Sequence, residues 1–378
     1  MASALRAWSD LPRELLLIVM AGLAHPGDQA RFRAVCRSWR SVPSPRKLPM
    51  IVLPTGFLLL CLHNGFHRIE PFPEHDRCIG STDTFLAIDK TDDQNRHTYK
   101  LLNPCSKTLV ELPELDEIVG NVVSESFEIH KVLMQSSGPG HYADGLIAVR
   151  TNNRIHPIIL LKPGKGVWLP PPRSKPFTRI IDVAFLEDTL YAITQAENLI
   201  SFGVAFDTNG IPTVTSIKRV ITGPITDVFA KEKHASRKRI GDYIINDGMH
   251  FAYDDERPHV DIVTIWYLVE SHGKLFMVRR ETEMQHPRYI HSLTRKVEVF
   301  EADISANKWV SVSSGLHGRA FFLSKRSSKS VHAGDDIQED AIYFIDTGEV
   351  FNVKSKTTSP RDKSVDLCAT WLFYPGSF

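Results

Sequence analysis

Four short runs of strand-forming residues, 108–112, 166–169, 213–217 and 307–310, recur along the chain and constrain its fold more than any other feature. Counted from Leu112 to Leu169, then Ile217, then Val310, the intervals are 57, 48 and 93, the last close to two units. A period near 50 made of strands favours propeller blades over α-solenoids. The surrounding texture agrees. Runs such as 85–89, 158–161, 183–186 and 342–346 are rich in β-branched and aromatic residues and are bounded by Gly, Pro, Asn and Asp. Glu187-Asp188 precedes the apolar run 189–193, and residues 346–349 separate two further runs, so antiparallel hairpins are the expected unit. The repeats are degenerate, with no regular Gly-Gly mark and no Trp-Asp dipeptide, and a tandem of β-sandwiches stays compatible with the spacing.

A chain of 378 residues with 42% hydrophobic content can hold a small module beside a large β domain. Its 45 basic and 44 acidic residues nearly cancel, which gives no reason to expect nucleic acid or a membrane surface as a partner. The distribution is uneven: residues 1–50 carry eight basic and three acidic side chains, leaving 37 against 41 for the rest. Five cysteines without C-x-x-C spacing predict neither a disulfide scaffold nor a zinc site and fit a reducing compartment, cytoplasmic or nuclear. The first residues reach Asp10 and Glu14 without a charged and then an apolar region, so no secretory signal is expected. The most apolar stretch, 50–62, is broken by Pro54-Thr55-Gly56 and is too short for a membrane span.

Near the N-terminus, Asp10-Leu11-Pro12-Arg13-Glu14 reads as a helix start, with Pro12 suited to a first turn and Glu14 to the positive end. Leu11, Leu15, Ile18 and Val19 then share a face. After a break at His25-Pro26-Gly27, Asp28 can cap a second stretch in which Phe32, Val35, Cys36 and Trp39 fall at helical spacing. Two helices this short cannot bury such stripes unaided, so their apolar surface calls for a partner. A hairpin docked on its own body would be the bland solution.

The run L-P-x-E-L-L-x-x-I, a gap, and then F-R-x-V-C-R-S-W-R resembles the F-box of plant substrate adaptors, over residues 8–42. That resemblance implies that Leu11, Pro12, Leu15, Ile18, Val35, Cys36 and Trp39 pack on a Skp-type adaptor, which bridges to a cullin-RING ubiquitin ligase. The family's adaptors are acidic, matching Arg31, Arg33, Arg37 and Arg40. Downstream, Leu101-Leu-Asn-Pro-Cys-Ser-Lys107 with Glu111-Leu-Pro113 is similar to a blade of plant F-box proteins. Residues 297–303, 308–310, 319–323, 341–344 and 371–375 resemble the plant domain of unknown function, of the KIB type, that follows those F-boxes. Where that family often has Phe-Pro-Gly-Cys, this chain has residues 334–340, rich in Asp and Glu. The resemblance implies a mainly β fold: all-α F-box helices over 1–48, then a kelch-like β-propeller over 49–378 that presents its loops to a target protein. It also implies a non-catalytic adaptor subunit. A stand-alone propeller enzyme or lectin-like binder with a helical cap is the rival from another class.

No catalytic residue, cofactor or metal is expected. Cys61, His63 and His67 match no usual metal-ligand spacing, and residues 162–166 lack the P-loop signature and read as a hairpin turn. The basic run 231–239 reads as a solvated loop with nuclear import as its functional alternative. Residues 168–172 read as prolines stopping a strand. The polar stretch 324–340, between two strong strands, is predicted to be a long mobile loop and a target contact. Finally, the apolar run 369–374 is expected to be a buried strand that pairs near residues 50–62, with Trp371 and Phe373 on one side and Leu372 and Tyr374 on the other.

Overall fold

A computed structural model of the chain describes residues 8, 11–23, 31–42, 49–61, 65–82, 84–104, 106–121, 128–135, 145–153, 156–170, 180–223, 260–285, 292–334, 337–359 and 369–373. Within residues 1–42 the described elements are helices: α1 (Arg13–Gly22), the described turn α2 (residues 31–34) and α3 (Arg37–Arg40). From Met50 onward the chain is strand, apart from α4 (Pro113–Asn121).

The described strands form six sheets. In chain order the second to fifth are simple meanders: β4–β7 (Asp76–Thr82, Phe85–Thr91, His97–Leu102, Leu109–Glu111), β8–β11 (Ile129–Met134, Ile147–Thr151, Ile158–Lys162, Gly166–Trp168), β12–β15 (Ile180–Leu186, Thr189–Thr194, Leu199–Phe206, Pro212–Ile221) and β16–β19 (Val260–Ser271, Lys274–Gln285, Ser292–Asp303, Lys308–Ser311). The sixth has five strands, β20 (Arg319–Leu323), β21 (Ser328–His332), β22 (Ala341–Phe344), β23 (Val350–Asn352) and β24 (Thr357–Ser359), in the order β21-β20-β22-β23-β24. The first sheet joins both parts of the chain: β25 (Thr370–Leu372) pairs antiparallel with β1 (Met50–Leu53), followed by β2 (Gly56–Cys61) and β3 (Gly65–Pro71).

Period-two alternation puts apolar side chains on both faces of each blade, and each face packs on a different neighbour. Phe85, Ala87 and Leu101 meet Val149 and Ile159, while Leu86 and Ile88 point the other way to Val52 and Leu372. The same happens between every successive pair of sheets, giving six interlocked apolar clusters. The last, in which Ile51, Trp371 and Phe373 pack on Phe322 and Tyr343, closes the ring, with the Phe322 and Tyr343 rings stacked at 4.5 Å. The fold is a β-propeller. Trp371 and Phe373 lie on one side and Leu372 on the other, as alternation predicts; Tyr374 lies outside the described residues.

The runs that set the period are the outer strands β7, β11, β15 and β19. One spacing is corrected: Ile217 and Val310 lie on the outer strands of consecutive blades, so the 93-residue interval is one unit, lengthened by three twelve-residue strands and by residues 222–259 between β15 and β16. A second correction concerns residues 324–340. They contain β21, the innermost strand of its blade, with Ser324, Arg326, Ser327, Ser330 and Val331 buried.

β21 is polar because its neighbours at the ring centre are polar. Lys131 on β8 donates to Asp182 on β12 at 2.8 Å and to Ser328 at 3.3 Å, and Asp182 also accepts the Leu268 amide of β16 at 2.7 Å. Ser327 bonds Thr370, which bonds Ser81 of β4, and Ser271 meets Ser330 at 2.8 Å. Arg326 donates to the Cys78 carbonyl at 3.1 Å. These side chains stitch all six inner strands with hydrogen bonds where an apolar strand would leave backbone groups unpaired.

Candidate docking surfaces

Two surfaces are candidates for docking, one on the helices and one on the rims of the ring. Pro12 stands at the N-cap of α1, one position before the expected first turn, and its carbonyl takes the Leu15 and Leu16 amides at 3.1 and 3.2 Å. Helix α1 is apolar nearly all round. Leu16 and Met20 face inward against Phe32 and Val42, with Leu11, Leu23 and Trp39 packed at the edge of that cluster. Residues 15 and 19 project about a quarter to a third of a turn away from that stripe, and residue 18 about half a turn. Leu15 is 47% exposed, Ile18 67% and Val19 46%. A helix apolar on two faces needs two partners, and within the described residues only one face has one.

The expected residues therefore separate. Pro12, Leu15, Ile18 and Val35 are exposed, Cys36 is half-buried, and Leu11 and Trp39 are partly buried supports. Trp39 packs on Phe32 with ring centres 4.4 Å apart and planes tilted by 33°, and donates its indole N–H to the Trp8 carbonyl at 3.1 Å. The second predicted stripe is split by the structure: Phe32 turns into the small core while Val35 faces out, because α2 ends before Val35 and α3 starts afresh at Arg37. Leu17, Val19 and Trp8 extend the exposed apolar surface beyond the residues expected from the motif. Arg31, Arg33, Arg37 and Arg40 are exposed beside it.

The propeller has two rims. Chain direction separates them: β1 begins at Met50 opposite Leu372, so the helical module joins the ring where the inner strand β25 ends. Inner strands β4 and β8 run in step with β25, since Pro54 at the far end of β1 accepts the Cys78 amide and Thr82 bonds the Met134 amide. The rim where inner strands begin, the upper rim, thus lies opposite the attachment of the helices. The hairpin turn 162–166, the end of β11 at Trp168 and the turns after Leu186 and Phe344 sit where the sequence puts them. The run 231–239 and the residues between Cys61 and Gly65 lie outside the described residues. Among the described residues no group of His, Cys, Asp and Glu could hold a metal ion, and no helix is long and apolar enough to cross a membrane.

Comparison with known proteins matches both parts. Residues 59–366 match the family described as KIB1-4 beta-propeller, and residues 8–45 match the F-box-like family. A curated relative, F-box protein SKIP23 of Arabidopsis thaliana, is 31% identical over an alignment of 118 residues that covers 28% of this chain. The matched stretch spans only 29% of that relative's own length.

Proposed function

Because the chain belongs to the KIB1-4 beta-propeller family and carries an F-box-like module ahead of its ring, we propose that it is the substrate-recruiting subunit of an SCF-type cullin-RING ubiquitin ligase. The helices hold a Skp-type adaptor, and the propeller holds the protein to be ubiquitinated. The observation that carries the first half is the second apolar face of α1, with Leu15, Ile18 and Val19 exposed while Leu16 and Met20 already fill the module's own core. Val35 and Pro12 are exposed as well, and the exposed arginines suit an acidic adaptor. Leu11, Cys36 and Trp39 support it from beneath or at its edge. The work of the subunit is positional: a conjugating enzyme held elsewhere in the assembly reaches lysines of the bound target, so catalysis arises from proximity and not from side chains of this chain. Its place of action is the cytoplasm or the nucleus, in keeping with sparse cysteines that lack C-x-x-C spacing.

The test is co-expression of the full chain with a Skp-type adaptor. Wild type should co-purify as a stoichiometric complex, and Leu15→Asp with Ile18→Asp should abolish it while the propeller still melts at the wild-type temperature. Undiminished co-purification of that double variant would overturn the assignment.

A further inference from the structure

The fifth blade is taller than its neighbours. Its strands β16, β17 and β18 have twelve residues each, whereas the inner strands β4, β8, β12, β21 and β25 have seven, six, seven, five and three. The extra length lies towards the upper rim, where β16 begins. There the β13–β14 turn of blade four meets Trp266 and Arg279 through Glu197, and the β22–β23 turn of blade six meets Arg280 and Thr294. Residues 260–265 run on past Trp266.

Leu268 fixes which way the backbone of β16 points. Its amide turns away from β17 and donates to Asp182 at 2.7 Å. In an antiparallel pair such outward groups recur at every second residue, and β16 pairs with β17 from Val260 to Ser271 without a register shift. Trp266, Thr264 and Ile262 therefore turn their amides and carbonyls to the same edge. Among the described residues no strand pairs with that edge, and the hydrogen bonds that stitch the inner strands reach β16 at Leu268 and Ser271.

The two edges of this blade are built differently. On the outer side β19 pairs with residues 300–303, which leaves the upper part of β18 uncovered by it. Arg295 there is the extra residue of a bulge, and Arg295 and Lys296 are exposed, both of them devices that keep another strand off a free edge. The inner edge has neither. Residues 260–266 carry no bulge and no Lys, Arg or Pro, and apart from Asp261 they are Val, Ile, Val, Thr, Ile and Trp. A second folded copy would approach from outside, where the edge is guarded. An edge on the innermost strand, turned towards the ring axis, admits a single extended segment.

We propose that residues 262–266 of β16 dock an extended, uncharged segment of the recruited protein, rich in β-branched residues, by taking it on as an added strand. The proposal rests on the reading of the propeller as the target-holding part. Main-chain bonds to Ile262, Thr264 and Trp266 supply the hold, and β-branched side chains suit the pleat. Apart from Asp261 the edge offers no charge to pair with, so a charged segment gains little there. The strand would lie on the rim opposite the attachment of the helices and leave the adaptor face open.

The experiment uses the full chain bound to its adaptor and bead-borne degenerate ten-residue peptides rich in Val, Ile and Thr, beside the same library N-methylated at every amide. Hydrogen exchange, read residue by residue by mass spectrometry, should first show the Ile262, Thr264 and Trp266 amides fast and those of Val263 and Ile265 slow. Protection of the first three without peptide would mean that the chain itself or a second copy already covers the edge, and overturns the proposal. The unmethylated library should be captured and should protect those three amides. Thr264→Pro removes an outward donor and no bond to β17, and should lower capture at least about tenfold at an unchanged melting temperature. Arg295→Ala, on the outer edge, should leave capture unchanged. Absent capture, equal capture of the methylated library, or full capture by Thr264→Pro overturns the proposal. Adaptor co-purification reads out separately: its absence alongside intact peptide capture would overturn the ligase assignment and leave the docking edge standing.

Discussion

Leu16 and Ile18 sit two residues apart on α1 and are bound to opposite fates by helical geometry. Leu16 is 1% exposed in the module's core, so Leu16→Ala should cost about 2–5 kcal/mol of module stability, seen as lost helical circular dichroism and protease resistance. Ile18→Ala should change stability by less than about 0.5 kcal/mol and still weaken the adaptor complex, measured by calorimetry. Equal effects on both readouts would remove the distinction between core and docking face. Asp340 offers a residue-scale test of pH. Burial alone would raise its carboxyl, but the Lys354 ammonium at 2.6 Å and the Leu316 amide hold it below the ordinary 3.8. A depressed folded value means the contribution is present above the unfolded value and is lost as pH falls through the folded one. The drop in melting temperature on acidification below about pH 4 should therefore be shallower in Asp340→Asn than in wild type.

Among the elements, β25 and β21 are short and decide the most. β25 has three residues, yet it is the inner strand of the first blade and ties the chain's end to β1. Truncating the chain before Cys368 removes Trp371, 1% exposed, and bares the edge of β1. The expected result is an insoluble or chaperone-bound protein that keeps its adaptor; a soluble product with an unchanged melting temperature would show that β25 does not close the ring. The β25 pairing was legible because the five apolar residues of the run 369–374 have no place in water. β21 was not legible. Its sequence, Ser328-Lys-Ser-Val-His332, reads as a loop, since the hydrogen-bonding partners that let it be an inner strand, Lys131, Ser271 and Thr370, are 197, 59 and 43 residues away from theirs. Replacing Lys131 by Met strands Asp182 in the ring centre and should cost about 3–5 kcal/mol, read as a lower midpoint in urea.

For the whole molecule, the ring and the helices answer to different forces. The six clusters between blades lie entirely within residues from Met50 onward, and the helical core uses residues up to Val42. Deleting residues 1–45 should accordingly leave a β-rich, cooperatively melting domain that no longer binds the adaptor, checked by circular dichroism and co-purification. A mainly helical spectrum, or a domain that fails to fold without the helices, would contradict that independence.

Taken alone, the order of residues determined every feature set by near neighbours. The hairpin turns, the outer strands that mark the period, the helix start at Pro12 and the alternation of Trp371, Leu372 and Phe373 all follow from local sterics and from a periodicity of two or 3.6. That α1 carries more apolar surface than two short helices can cover was legible too, although the face shared by Leu11, Leu15, Ile18 and Val19 is split, with Leu11 at the module's core and the others exposed. Tertiary structure decided what depends on distant partners: which of two apolar faces of α1 turns inward, and whether a polar run is a loop or an inner strand. The polar inner strand is invisible along the chain because its deciding partners lie in other blades, as Lys131 does for Ser328, and only closing the ring brings them within hydrogen-bonding distance.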